Sequence, residues 1–276
     1  SDFCKFNKKG LNGTIYLLGD SHANSSLFSL VKSNRLSNYK IISLTYSGNF
    51  YVVDFELINK KTNRISHDAQ WHLNRRKEIL ENNDNSIILI SGRLPLYLTG
   101  KFFDNKEGGV EGGVERQQFA DYFRDTRSKR TFSEGVKESV IELLNHNKKV
   151  LLIYPIPEVG WSLPRELYNL LPRYLTRPDN NKFVNTITNN PITTSYDIYR
   201  KRTRESFELL NSIQHPNLYR VYPHTLFCDN QVKGRCITHD NKNIYYKDPN
   251  HVSAKGSEML YELIESQIKK IEAELN

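Results

Sequence analysis

The stretch Thr14-Ile15-Tyr16-Leu17-Leu18-Gly19-Asp20-Ser21-His22 decides the fold. It reads as a short apolar strand over Thr14 to Leu18 that breaks at a glycine, with a helix expected from about Asn24. Ligands of open α/β sheets bind beyond the carboxyl ends of the strands. A serine at that place can therefore point its hydroxyl into a crevice. Its own backbone N–H, near a helix N-terminus, can help to stabilise a developing oxyanion.

Outward from this stretch, strands and helices alternate. Strands are expected at Ile41 to Tyr46, Ile87 to Ile90, Val150 to Tyr154 and Leu218 to Tyr222. Between them, Ile65 to Glu81, Phe132 to Asn147 and Tyr196 to Ile213 carry helical periodicity, and a last helix runs from about Ser253 to the end. Residues 158–194, rich in Asn and Pro, read as an insertion with short helices. Gly108-Gly109-Val110-Glu111-Gly112-Gly113 lacks the Lys-Ser/Thr and the strand–helix context of a phosphate loop and reads as a flexible surface loop or hairpin. The alternation predicts a three-layer α/β/α sandwich around a mainly parallel sheet over residues 14–276. Residues 1–13 are expected to be a linker or extension.

With 38% hydrophobic residues, the 276-residue chain has enough apolar material for a sizeable core, which excludes a disordered or collagen-like chain. No apolar run approaches the ~18 residues that would span a bilayer. Ser1-Asp2-Phe3-Cys4-Lys5 has no apolar signal-peptide region, and the start is expected to be a cut within something longer. The net charge of +8 favours anionic partners. Its basic residues are scattered, however, and no nucleic-acid-binding motif accompanies them, so a solvated basic surface is expected and no nucleic acid.

Cys228 and Cys236 lie eight positions apart around a polar, glycine-containing turn. Spacing alone leaves two readings open: a disulfide-closed loop, or unrelated thiols. His224 and His239 flank the pair without a recognised zinc-ligand spacing, and no metal is expected.

A second motif, Asp248-Pro249-Asn250-His251, precedes the last helix. A serine hydroxyl is a weak nucleophile until a base removes its proton. His251 can do that for Ser21, while Asp248 orients the ring and stabilises the imidazolium. Taken singly, Gly-Asp-Ser is a common turn with Asp20 or Ser21 as helix cap, and Asp248 and His251 are loop residues. At opposite ends of an α/β chain, the two motifs together point to a serine hydrolase or acyltransferase.

These motifs resemble those of the SGNH (GDSL-like) hydrolase superfamily, whose fold is flavodoxin-like. More specifically, the chain is similar to the SGNH domain fused behind a membrane-bound acyltransferase-3 domain in bacterial O-acetyltransferases, including O-antigen acetylases. Leu18-Gly19-Asp20-Ser21-His22-Ala23 matches the nucleophile block, and Asp248-Pro249-Asn250-His251-Val252-Ser253-Ala254-Lys255-Gly256 the final block. The resemblance implies a catalytic set of Ser21, Asp248 and His251, and it supports a Cys228–Cys236 disulfide. Gly48 is the best candidate for the glycine donor to the oxyanion hole. The third block normally carries Gly-x-Asn. Here Ser91-Gly92-Arg93 has no asparagine at the matching place, so Arg93 reads either as a charged donor in its stead or as one half of a structural salt bridge.

The resemblance further implies an acetyl group drawn from acetyl-coenzyme A. It would be delivered by an N-terminal acyltransferase-3 membrane domain of the same polypeptide and passed through acetyl-Ser21 to a sugar hydroxyl of a cell-surface polysaccharide such as O-antigen. This domain itself would need no cofactor and would face the periplasm at the bacterial inner membrane. The competing readings are a stand-alone carbohydrate esterase with the same residues and a non-catalytic glycan-binding module.

Overall fold

In the computed structural model the strand read from Thr14 to Leu18 is the pivot of a six-stranded sheet. The structure describes residues 4–6, 12–26, 28–32, 35–82, 84–112, 120–170 and 180–275. The spatial order is β1 (Cys4–Phe6), β3 (Lys40–Ser43), β2 (Thr14–Gly19), β6 (Ile87–Ser91), β8 (Lys149–Ile153) and β10 (Leu218–Val221). All neighbours pair in parallel except β1, which adds antiparallel to β3 at the edge. The short strand β1 lies within the predicted N-terminal extension. Counted in chain order, the five parallel strands run 2-1-3-4-5, the flavodoxin-like arrangement.

Alternate residues of each strand leave opposite faces of the sheet. Ile15 and Leu17 of β2 join a core with Ala23, Leu30 and the stripe Tyr261, Ile264, Ile268 and Ile271. These come from α1 (Ser21–Ser26), α2 (Phe28–Lys32) and α10 (Ala254–Leu275). Tyr16 and Leu18 face the other way, against Ile79, Val136, Val140, Leu143 and Leu210. That layer is built from α3 (Gln70–Leu80), α5 (Phe132–Asn145) and α8 (Tyr196–Asn211). Both faces are covered, which is why the central strands read as unbroken apolar runs. Helix α5 starts at a reciprocal cap: Glu134 N–H donates to Thr131 Oγ1, and Thr131 N–H to the Glu134 carboxylate.

Several expectations are corrected. The periodicity over Ile65 to Glu81 covers two elements. Arg64 to His67 form a strand, β5, antiparallel to β4 (Phe55–Asn59), which also pairs with β7 (Tyr122–Asp125). Ile65 is exposed on that hairpin. Its place in a helical pattern was fortuitous, because the turn at Asn63, with φ of 52°, returns the chain as a strand. The Gly-rich stretch, described as far as Gly112, closes a hairpin through the antiparallel Asp104–Val110 bridge, the second of its two readings, and its turn is fixed by internal bonds. The side chain of Asn105, fully buried, accepts from Gly109 N–H and Glu107 N–H and donates to Val159 O.

The expected insertion contains α6 (Leu163–Asn169) and α7 (Asn180–Asn189), while residues 171–179 lie outside the described part. It leads into β9 (Thr193–Ser195), which pairs antiparallel with β11 (Arg235–Ile237). Two further short helices, α4 (Leu94–Thr99) and α9 (His224–Phe227), follow β6 and β10. Among the described residues, no helix is long and apolar enough to cross a membrane.

Cys228 and Cys236 form a disulfide, and Cys4 is an exposed free thiol. Both bridged residues are buried in a third core with Phe227, Ile237, Tyr245 and Tyr246. For so short a loop, the chain-entropy picture gives roughly 2–3 kcal/mol of stabilisation. Reduction is therefore expected to lower the urea unfolding free energy by that amount, and Cys228→Ser to do the same without reductant. Equal unfolding midpoints with and without dithiothreitol would show that the bridge contributes nothing.

Candidate active site

Ser21 occupies the first position of α1, directly beyond β2. Asp20 caps that turn: its Oδ1 accepts from His22 N–H at 2.8 Å. The helix thus starts three residues before the expected Asn24, and Asp20 serves as the cap that the bland reading of Gly-Asp-Ser offered. Gly19 makes the geometry feasible. Its φ is 133°, and a Cβ there would sit 1.7 Å from Ser91 O. Only glycine lets the ends of β2 and β6 approach this closely. The approach brings Asp20 Oδ2 within reach of Arg93 N–H and the Tyr97 hydroxyl, both 2.8 Å away. Ser21 therefore lies at the switch point of the sheet, between its first and third parallel strands, where crevices open.

The loop carrying Asp248 and His251 is held from both sides. Tyr246 and Val252 form a bridge across its base, and Lys247 N–H donates to His251 O. Val159 and Gly160 N–H both donate to Pro249 O, at 2.9 and 2.8 Å. So fixed, the loop aims His251 at Ser21, with Nε2 2.8 Å from Ser21 Oγ. Asp248 Oδ2 lies 2.8 Å from His251 Nδ1, and its Oδ1 accepts from the N–H groups of Asn250 and His251. Burial raises the Asp248 pKa, but the bonds from the His251 ring and the two backbone N–H groups outweigh it, and the net shift is downward. An ionised Asp248 draws the ring proton onto Nδ1. Nε2 is left free to accept the Ser21 proton.

The structure brings together residues that the sequence reading missed. The His22 ring lies 5.0 Å from that of His251 and is buried, which lowers its pKa and keeps it neutral. Its Nε2 is 2.9 Å from Asn250 Oδ1, while Asn250 Nδ2 donates to Glu111 Oε1 at 3.0 Å. The second bond assigns the amide orientation, so His22 Nε2–H is the donor in the first. Glu111 in turn pairs with Arg93, Arg93 with Glu158, and Glu158 with Arg202. No spacing in the sequence links Glu111, Glu158 and Arg202 to either end motif. A buried arginine beside Asp20, which must have carboxylate partners, is the one signal from which they could have been sought.

The fate of Arg93 resolves its two readings. Its side chain is 8% exposed and forks onto both carboxylates, with Nε 2.6 Å from Glu158 Oε1 and Nη1 3.0 Å from Glu111 Oε1. The guanidinium is a structural ion pair, and the contact of Arg93 with the nucleophile block is its backbone N–H, to Asp20. Gly48 sits in an exposed turn with φ of 75° and open space around it. The turn is tied to the strand end by Tyr46 N–H donating to Gly19 O. Among the described residues, no three His, Cys, Asp or Glu side chains gather as metal ligands would.

Burial raises the Glu158 pKa, yet Arg93 and Arg202 outweigh burial and bring it from 4.5 down to about 2. A carboxylate depressed in the folded state contributes stability that is present above its unfolded pKa and lost as pH falls through the folded one. The urea midpoint is therefore expected to hold down to about pH 5 and to drop between about 4.5 and 2, with Asp248 adding in the same sense. A Glu158 carboxyl that titrates at its ordinary value in NMR would contradict this.

Compared with known proteins, residues 1–266 match the family model described as the SGNH domain fused to AT3 domains. The sequence matches no curated protein. Among solved structures, the periplasmic domain of a lipopolysaccharide acetyltransferase from Salmonella serovar Paratyphi A aligns with a TM-score of 0.54 at 17% identity, covering 95% of this chain and 85% of that one. A GDSL-like lipase from Bacteroides thetaiotaomicron aligns with a TM-score of 0.47 at 12% identity, over 94% and 89% of the two chains.

Proposed function

This chain belongs to the family of SGNH domains fused to AT3 domains, and from that membership we propose that it transfers an acetyl group through Ser21 to a sugar hydroxyl of a cell-surface polysaccharide. The observation that carries the proposal is the unbroken run of hydrogen bonds from Ser21 Oγ through His251 to Asp248. In the first half-reaction, Ser21 Oγ attacks the acetyl carbonyl as its proton passes to His251 Nε2. The donor's leaving group departs with that proton. In the second, His251 takes the proton of the sugar hydroxyl, whose oxygen attacks acetyl-Ser21. The ester forms on the sugar as the bond from the acyl carbon to Ser21 Oγ breaks, and His251 Nε2 returns the proton to Oγ, regenerating Ser21.

The Ser21 backbone N–H, with that of Gly48, is proposed to receive the oxyanion of each tetrahedral intermediate. The third-block asparagine is missing, and Arg93 is held by two carboxylates, so this oxyanion hole has no side-chain donor from that position. Loss of one such donor typically costs ~10²–10³ in turnover. Slow hydrolysis of free acetyl esters by the chain alone is the consequence.

The donor is proposed to be an AT3 membrane domain of the same polypeptide, handing over acetyl derived from acetyl-coenzyme A on the periplasmic side of the bacterial inner membrane. The acetyl group and the polysaccharide acceptor are in keeping with the lipopolysaccharide acetyltransferase whose periplasmic domain shares this fold. The test is O-acetylation in cells expressing the full-length protein. NMR of the purified polysaccharide should show O-acetyl signals with the wild type and none with Ser21→Ala. Efficient removal of acetyl groups from an O-acetylated polysaccharide by this chain alone would assign it as an esterase instead.

A further inference from the structure

A cavity of about 770 Å³ lies at the far end of α4 from Ser21, and the acyl-transfer chemistry makes no use of it. Its size falls within the range of small-ligand clefts. Five cationic residues line it, Lys60, Lys101, Lys106, Lys201 and Arg202, together with Phe102. Three of the five have a carboxylate: Lys106 pairs with Asp104, Lys201 with Asp197 and Arg202 with Glu158. The Lys60 and Lys101 ammonium groups have no carboxylate partner among the described residues. Asp104 is the one carboxylate in the lining, so the cavity wall is strongly cationic.

The cavity is also joined to the site. Helix α4 begins beside Asp20 and spans only about 9 Å to the cavity rim at Thr99. Arg202 spans the wall, donating to Thr99 Oγ1 and Lys101 O at 2.8 Å each while holding Glu158, the partner of Arg93. Phe102 lies with its ring centroid 5.8 Å from the Arg93 guanidinium.

We propose that this cavity binds an anionic sugar, one bearing a carboxylate or a phosphate, within the acceptor chain whose hydroxyl is presented to Ser21. The proposal rests on the acyl-transfer reading and adds the substrate class. Lysines reach an anion as flexible point charges, and Phe102 adds apolar lining beside them. Fixing a remote unit of the chain is a means of orienting the reacting hydroxyl.

Binding to this chain is measured by calorimetry with three probes: trigalacturonate, a phosphorylated maltotriose and neutral maltotriose. At least one charged probe is expected to bind, and whichever does identifies the anion. Maltotriose should bind at least about tenfold more weakly, and Lys60→Ala with Lys101→Ala should weaken the charged probe by about tenfold. Added salt should weaken it as well. Equal binding of maltotriose, absence of binding by both charged probes, or an unchanged affinity in the double variant would overturn the proposal. Because binding is read without turnover, its failure tells against the cavity alone and leaves the acyl-transfer reading standing.

Discussion

Ser21→Ala is expected to lower the turnover of an activated acetyl ester by this chain by at least about 10⁴-fold, with no change in the urea midpoint. The magnitude follows from the proposed role: without the hydroxyl no acyl-enzyme would form, and only binding and the oxyanion donors would remain. Stability is spared because Ser21 is partly exposed at the first turn of α1, and that turn is capped by Asp20. His251→Ala should lose nearly as much, and the double variant little more than either, since the two residues act as a unit. Asp248→Asn should retain the ring's position while weakening its polarisation, and fall between them and the wild type. Separate, multiplying losses at Ser21 and His251 would mean that they do not act on one proton.

The second large effect concerns stability. Arg93→Met leaves Glu111 and Glu158 buried beside each other with half their positive charge removed. Breaking a buried pair by deleting one partner costs about 3–5 kcal/mol, a large share of the ~5–15 kcal/mol that holds a domain folded. Arg93→Lys should recover part of this, because it restores the charge but not the fork that reaches both carboxylates. Activity should fall along with stability, since Glu111 holds Asn250, the residue before His251. A urea midpoint unchanged in Arg93→Met would show that the guanidinium is not held as described.

The parallel sheet was legible because its strands are short apolar runs closed by Gly, Pro or Ser, a pattern that local composition writes directly. Ser21, Asp248 and His251 were legible for a different reason. Each sits in a block whose neighbours carry the resemblance, so position in the chain stood in for position in space. The sheet of β4, β5 and β7 was not legible. Its pairing of Phe55 with Asp125 spans a long stretch of chain, and the largely exposed partners β5 and β7 of the buried β4 have no apolar run to betray them.

The network around Arg93 was hidden in the same way. Glu111 stood in a glycine-rich stretch read as a flexible surface loop or hairpin, and Glu158 at the start of an expected insertion. Only folding places both carboxylates on one guanidinium. Arg93 itself could be singled out from its place after β6, yet donor and salt bridge remained equal readings until its partners were known. Cys228 and Cys236 were similar: spacing allowed a bridge, and the fold, through the facing pair that they form, brings them together.

The central claim is that Ser21 carries the acyl group, and mass spectrometry of the chain after brief exposure to an activated acetyl ester and acid quenching tests it most directly. The account predicts one added acetyl group, located to the peptide containing Ser21, lost on longer incubation at neutral pH and absent from Ser21→Ala and His251→Ala. An acetyl group on any other residue, or turnover that survives in Ser21→Ala, would contradict it.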